Sequence, residues 1–503
     1  MSLLDDVSIV VTPNGYKAGT LFAVKPTIAY GSELVVNGDF SEGDTGWTIE
    51  AVWTISGGAA HGNGASGSSQ ELKQTILEVG KTYEFSYEIR NRVSGSVELL
   101  NSGLGATTSN QVYTGIGIAT STELRFRPSS FNGDIYNVSV REFTGADMDV
   151  TRATDATRVD EDGLIEDVLA NVPRIDYTGG GCPHILAEPQ RTNVNTYSED
   201  FSQSFYIKDS GISVATTNNV SPSGESNATE IEVDNNGRIY ANVASDTYST
   251  SVFIKAGTFA YFKFQGSNVD LEAGTYSGGT IESFGNGWFK ITKQYTGNRP
   301  FQIQAYPDGT YSSHTTNGNY YIWASQIEVG EFPTSYIPTS GSTVTRNQDI
   351  FTRDGIGSLI NSTEGVLFVE IAALSNDSTR RSISLSDGTN TNRVVLRYDN
   401  ASNRVQGFIQ VGGATNGNIN DNSYTITNFL KIAYKWKAGD FALWINGTEV
   451  ATSTSATSFG AGVLTEMQFN EGDGAGGEYF GKVKQLQVYD TILEEEQLIA
   501  LTT

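Results

Sequence analysis

The sequence predicts an all-β protein: tandem β-sandwiches joined by an extended connector, with one short C-terminal helix. Three observations predict it. Short runs of Val, Ile, Tyr, Phe and Thr recur along the chain, each bounded by Gly and Asn turns, which is the pattern of half-buried strands in a sandwich. Long stretches with apolar residues at helical spacing are almost absent. No unit of about 20–50 residues recurs, which argues against a solenoid.

Composition narrows the class further. A length of 503 residues points to on the order of three or four domains. The formal charge is −25, which argues against nucleic acid, because phosphate binding needs Lys and Arg to displace counterions. The same acidity argues against anionic membrane surfaces. No apolar run reaches the ~18 residues of a membrane helix, and Met1–Asp6 carries neither the basic start nor the apolar centre of a signal peptide. The single cysteine, Cys182, sits in Gly-Gly-Gly-Cys-Pro without a matching thiol or His pair and reads as a small packed residue.

Taken in order, residues 1–30 read as an N-terminal anchoring arm. Val7–Thr12 and Leu21–Val24 are short strand candidates in it, and Pro13-Asn14-Gly15 is a turn. Residues 31–145 read as a first sandwich. Leu34–Phe40 and Gly46-Trp47 open it, and at its centre Tyr83, Phe85, Tyr87 and Ile89 alternate onto one face. Phe131–Val140 closes it.

Residues 146–193 are the least strand-like part and read as a connector. Its Val150-Thr151-Arg152, followed by Thr157-Arg158 and Asp162-Gly163, is answered by Val344-Thr345-Arg346, Thr352-Arg353 and Asp354-Gly355. So short a repeat is no domain. It falls where domains would join, and residues 344–359 read as a second use of the connector.

Residues 194–343 read as a second sandwich, with strands at Ser251–Gly257, Tyr261–Phe264, Asn286–Ile291 and Tyr320–Glu328. Residues 360–503 read as a third. Val366–Ile371 opens it, Leu430–Trp436 and Gly439–Gly447 follow with a hairpin turn at Asn446-Gly447, and Lys482–Asp490 is its last strand. Leu493–Leu501 is the one expected helix.

Several of these stretches resemble known families. Val11-Thr12-Pro13-Asn14-Gly15-Tyr16-Lys17 through Lys25-Pro26, with TRATDATRVDEDGLIEDV and NVPRIDYTGGGCPHILAEPQRTN, resembles an arm and connector of virion appendage proteins of tailed phages, crAss-like phages of Bacteroidetes-type hosts included. There the arm runs almost directly into the connector, so residues 31–145 look like a domain inserted between two halves of one anchoring unit. In that resemblance Arg152, Arg158, Arg174, Arg191 and Tyr16 are the expected assembly and anchoring residues. Asn37-Gly38-Asp39-Phe40 with Gly46-Trp47, then the Tyr83–Ile89 and Phe131–Val140 landmarks, is similar to family 4/9-like carbohydrate-binding modules, which are jelly rolls. The third sandwich, ending Leu498-Ile499-Ala500-Leu501, resembles laminin-G-like, concanavalin-type jelly rolls, whose metal ligands do not map onto it. The fold expected is therefore a string of tandem jelly-roll β-sandwiches.

The chemistry legible in the sequence is sparse. Gly472–Gly477 satisfies GxGxxG, but Tyr479–Val483 after it reads as a strand, whereas a dinucleotide site needs a helix N-terminus there. His61, His184 and His314 lie far apart in sequence, with no zinc spacing, and read as separate residues without a shared function. No GxSxG elbow occurs. Carboxylates are many, but acid-rich loops are the ordinary state of so acidic a chain, so a glycosidase pair is the lesser reading. Asn37, Asp39 and Asp44, with Glu42, have oxygens suited to the structural calcium common in jelly rolls of this kind, and no other cofactor is implied. The six tryptophans fall two to a sandwich. Trp288, Trp323 and Trp444 read as core. Trp53, and after it Trp47, are the candidates for stacking on a sugar.

The expectation that results is a non-enzymatic structural appendage of a virion, a head fibre or tail fibre. It would be a homotrimer held to capsid or tail proteins by its N-terminal part, and it would display sandwiches for attachment to host-surface glycans. Weak sites suffice where many copies act together. A carbohydrate-active enzyme such as a capsule depolymerase is the first alternative, although no stretch is left over for its catalytic domain. A soluble glycan-binding protein is the second.

Overall fold

The computed structural model describes residues 3–17, 19–25, 29–65, 70–79, 81–100, 102, 104–144 and 146–503. Pro26, Gly80 and Gly145, which close the arm motif, begin the central strand segment and end the expected first sandwich, lie outside these. The fold is all-β, with a short helix at Glu495–Thr502 near the C-terminus and a single helical turn at Leu3–Asp6. The chain divides into two compact units. One comprises Met1–Phe22, Met148–Arg353 and Ser358–Thr503, and the other Ala23–Asp147 with Asp354–Gly357.

The smaller unit is built on two long strands, Thr82–Leu99 and Glu123–Thr144. They pair with each other through several register shifts. Asn91 and Ser130 adopt positive φ within them, and so does Gly95, where a Cβ would lie 1.9 Å from the Ser130 carbonyl oxygen. Only glycine permits that approach. Both halves of each strand feed one core, which runs from Tyr83, Phe85, Tyr87 and Ile89 to Val97 and Leu99, and from Leu124 and Phe126 to Phe131, Ile135 and Val140. The alternation in the central strand thus sets its buried side, and the intervening Glu84, Ser86, Glu88 and Arg90 stay outside it.

In the larger unit the second sandwich has two sheets. Its core joins Ile231, Val252, Ile254, Phe262, Phe264, Phe301, Ile303 and Ile322. The third sandwich pairs Glu364–Ala373 with both Leu430–Lys437 and Gly481–Tyr489. The Asn446-Gly447 hairpin forms as expected, both residues at positive φ between Phe441–Ile445 and Thr448–Ser453.

The third sandwich draws strands from across the whole chain, the strand expected within the N-terminal arm included. Val7–Val11 pairs antiparallel with Leu486–Tyr489. His184–Ala187, from the connector, pairs along Gly481–Val483 of the same strand. The two segments lie end to end on the edge that Glu364–Ala373 leaves open. Val7 and Val10 pack in one cluster with Phe368, Trp444, Leu498 and Leu501, so the N-terminal strand and C-terminal helix share a core. Hydrophobic burial explains the placement, since Val7, Ile9 and Val11 are almost wholly removed from solvent.

The two copies of the repeat also meet. Asp149–Thr151 pairs with Ile350–Thr352, in the opposite sheet of the third sandwich. Arg191–Asn193 pairs with Val344–Arg346. The connector hairpin, Ala156–Val159 with Ile165–Val168, packs Val159 and Ile165 against Phe253, Trp288, Trp323 and Tyr336 of the second sandwich.

Candidate functional site

Two of the four anchoring arginines expected from the sequence are interior. Arg152 and Arg174 have no exposed side-chain surface. Arg152 donates to Asp349 at 2.8 Å and to the carbonyls of Thr154, Val172 and Leu169. Arg174 donates to Glu188 at 2.7 Å and also to the Asp349 carboxylate. Arg346 donates to the same Glu188 oxygen at 2.6 Å, and the Ser335 amide and hydroxyl donate to Glu188 as well. Burial pushes the Glu188 carboxyl up, but Arg346 and Arg174 outweigh that and hold it far below the usual carboxylate range. These side chains tie the chain to itself and cannot reach a neighbouring protein. Arg158 pairs with Glu166 and lies 5.5 Å over the Tyr16 ring, and Arg191 lies 4.7 Å over Phe332. Those three expected residues, Arg158, Arg191 and Tyr16, are half-buried.

The expected sugar-stacking tryptophans are core residues. Trp53 is 2% exposed, donates its indole N–H to the Gln70 carbonyl and packs on Phe131. Trp47 is 7% exposed, donates to the Asn37 carbonyl and packs on Phe40. Neither ring has a face left for a ligand. Their polar N–H groups are satisfied inside, which is how a Trp near a loop becomes fully packed.

The expected calcium loop braces itself. Asn37 donates its amide to the carbonyls of Gly43 and Thr45 and accepts the Glu42 N–H, while Asp39 accepts both the amide and hydroxyl of Ser41. Those contacts define an Asx-stabilised turn. Asp44 lies in the same turn, and among the described residues no three His, Cys, Asp or Glu side chains converge as ligands. The residues do not fit a calcium cage.

The surface best built for a ligand is the open side of the smaller unit's sheet. Four strands present it: Ala29–Glu33, Glu123–Thr144, Thr82–Leu99 and Val112–Ile118. Register lines the side chains up in rungs. Glu33, Arg141, Glu84 and Ile116 form one, Ser139, Ser86 and Thr114 the next, and Tyr136, Glu88 and Val112 a third. At its centre Glu88 receives both guanidinium arms of Arg90 at 2.6 Å, with a further bond from Asn137. The Arg90 guanidinium lies 4.5 Å over the Tyr136 ring, which fixes that ring on the sheet. Tyr30, 44% exposed, donates to Glu84, and Ser139 and the Val140 amide donate to Glu33. Val112 and Ile116 add exposed apolar area, at 63% and 40%. Fixed aromatic plates among carboxylates, guanidinium and hydroxyls suit a polyhydroxylated ligand that is apolar on one side and hydrogen-bonding at its rim.

Sequence reasoning missed these residues, although the signal was present. The alternation that buries Tyr83, Phe85, Tyr87 and Ile89 puts Glu84, Ser86, Glu88 and Arg90 outward. Tyr136 lies in a strand whose register shifts obscure its side. Of the other features, Gly472–Gly477 is a loop leading into the strand Gly481–Tyr489, and Cys182 is exposed, not packed. His184 is buried, which holds its imidazole down at about 4, and His314 bonds the Ala305 carbonyl.

No family model matches the chain, and no curated protein sequence does. Solved structures similar to it include the CBM40 of the Ruminococcus gnavus IT-sialidase bound to α2,3-sialyllactose, at 19% identity and a TM-score of 0.25 over 28% of this chain and 83% of that one. Domain 4 of AbnA, a GH43 extracellular arabinanase from Geobacillus stearothermophilus in complex with arabinotriose, is similar at 11% identity and a TM-score of 0.26, over 35% and 84% of the two chains. The receptor binding domain of botulinum neurotoxin C/D mosaic serotype is similar at 13% identity and a TM-score of 0.25, over 31% and 40%.

Proposed function

We propose that this chain is an attachment protein, a structural appendage of a tailed-phage virion that binds host-surface glycans through the open sheet face of its inserted sandwich. The observation that carries the glycan reading is the Glu88–Arg90–Tyr136 arrangement, an aromatic ring immobilised among charged and hydroxyl groups on one exposed sheet. Preorganised rings and polar groups lose little freedom on binding, which favours weak but specific sites. The virion reading is supported by the resemblance of Val11–Lys17 and of Thr151–Asn193 to appendage connectors. The buried Arg152–Asp349 and Arg174–Glu188 network fits it too, because a displayed domain needs a stiff base. Copies assemble as a homotrimer on the particle, and that multivalency offsets the weakness of each site.

A glycan array probed with the full-length chain tests the first part. Binding to a defined subset is expected, and an array without any bound glycan would remove the reading. Mass spectrometry of purified virions of the encoding phage, with light scattering on the free protein, tests the second. The chain is expected in the particle and at a three-chain mass in solution.

A further inference from the structure

At one end of the open face three residues come together that the attachment reading does not use. We propose that Ser56, His61 and Asp134 form an acyl-transfer triad that hydrolyses acyl esters. Trp53–Ser56 and Ala59–Asn63 form a hairpin across the Gly57-Gly58 turn. His61 is opposite Asp134, and Asp134 is opposite Arg90, so the triad continues the rungs that carry Glu88 and Tyr136. The His61 Nδ1 lies 2.6 Å from Asp134 Oδ1, and its Nε2 lies 3.1 Å from Ser56 Oγ. Asp134 is oriented in turn by Asn91, whose side-chain amide donates to Oδ2 at 2.7 Å.

Each part has a chemical role. A serine hydroxyl becomes a useful nucleophile when a hydrogen-bonded base removes its proton and a third group fixes that base. Asp134 fixes the ring through Nδ1, and with Nε2 deprotonated its lone pair is in reach of the Ser56 hydroxyl. Nε2 also lies 3.0 Å from the Ser56 carbonyl oxygen, an acceptor for the imidazolium N–H once the ring has taken the proton. Ser56 is exposed, while the Asp134 side chain is only 15% exposed, so the nucleophile is accessible and its orienting carboxylate is shielded. The amides of Gly57 and Gly58 bond no described residue, and nothing lies within 4 Å of where a Cβ on Gly57 would sit. These two N–H groups follow the serine directly and have no acceptor among the described residues, so they are the donors the proposal assigns to a developing oxyanion.

The reaction balances without a co-reactant other than water. Ser56 Oγ bonds to the ester carbonyl carbon as its proton passes to His61 Nε2. The tetrahedral intermediate expels the alcohol, which takes that proton and leaves Ser56 acylated. Water then attacks the acyl carbon, returns a proton through His61 to Ser56 Oγ, and the carboxylic acid departs. The substrate class is an acyl ester. That the ester sits on a sugar hydroxyl rests on the attachment reading, because the triad adjoins that face.

The test uses the full-length protein with a fluorophosphonate label, p-nitrophenyl acetate and an O-acetylated hexose, alongside Ser56→Ala and His61→Asn. Expected are labelling at Ser56, located by peptide mass spectrometry, and ester hydrolysis at least tenfold above Ser56→Ala. His61→Asn is expected to lose the label as well. Ser56 is exposed, so its alanine variant is expected to unfold at the wild-type temperature, which keeps the comparison sound. Absence of label at Ser56, or a wild-type rate equal to that of Ser56→Ala, would overturn the triad. Hydrolysis of p-nitrophenyl acetate without release of acetate from the hexose would overturn the sugar ester while leaving the triad standing. Loss of glycan binding on the array with hydrolysis intact would count against the attachment reading alone.

Discussion

Arg152 and Asp349 stand 197 positions apart, and their side chains meet at 2.8 Å with no exposure to solvent. Each lies in one copy of the short repeat, so this pair clasps the two copies together. Asp349 also receives Arg174, and Arg346, from the same copy as Asp349, reaches Glu188 in the connector.

Breaking one member of such a buried set leaves an uncompensated charge, which costs about 3–5 kcal/mol. Asp349→Asn is therefore expected to lower the stability of the larger unit by that order. Urea unfolding followed by tryptophan fluorescence checks it, and a change below about 1 kcal/mol would show that the clasp is solvated.

The same network sets an acid limb. The folded-state pKa of Glu188 lies below its unfolded value, so its contribution is present above about pH 4 and is lost as pH falls further, while the unfolded chain takes up the proton first. Glu328 runs the opposite way. Burial raises it, so protonation in the folded state becomes favourable on acidification and its contribution fades as pH rises. Glu188→Gln is expected to flatten the loss of melting temperature between about pH 5 and 3 that the wild type shows. A slope unchanged by that substitution would assign the acid limb to other carboxylates.

Removing residues 1–12 should unzip an edge of the third sandwich. Val7, Ile9 and Val11 are each nearly fully buried, and each such side chain is worth roughly 1.5–3 kcal/mol. Hydrogen exchange is expected to rise along Leu486–Tyr489, whose outer partner is lost. A free arm would leave those amides protected.

The inserted sandwich should be removable. Leu21 and Met148 form an antiparallel bridge, with the Met148 amide donating to the Leu21 carbonyl at 3.2 Å, so the chain leaves and re-enters the larger unit at neighbouring points. Joining Phe22 to Met148 directly is expected to give a folded protein with the larger unit's cooperative melt retained and glycan binding gone. An unfolded or aggregated product would contradict it.

Much of the fold was legible because period-2 alternation and Asn-Gly turns are local signals. Tyr83 to Ile89 gave the buried side of the central strand, and Asn446-Gly447 gave its hairpin. Long-range pairing was not legible. Nothing in Val7–Val11 says that its partner lies at Leu486–Tyr489, and nothing in the VTR repeat says that its arginines turn inward. The binding surface fared likewise. Trp47 and Trp53 drew attention as large rings near turns, yet large rings near turns fill cores when a backbone carbonyl can take the indole N–H. The residues on the open face, Glu88, Arg90 and Tyr136, are brought together only by cross-strand register.

Titration of the full-length protein and of Tyr136→Ala with the strongest array glycan, by isothermal calorimetry, tests whether this face binds glycan. Tyr136 is partly exposed and its ring packs under Arg90, so the variant should melt close to the wild type. Its affinity is expected to fall at least tenfold, about 1.4 kcal/mol. Equal affinity in the two proteins would contradict it and move attachment away from this face.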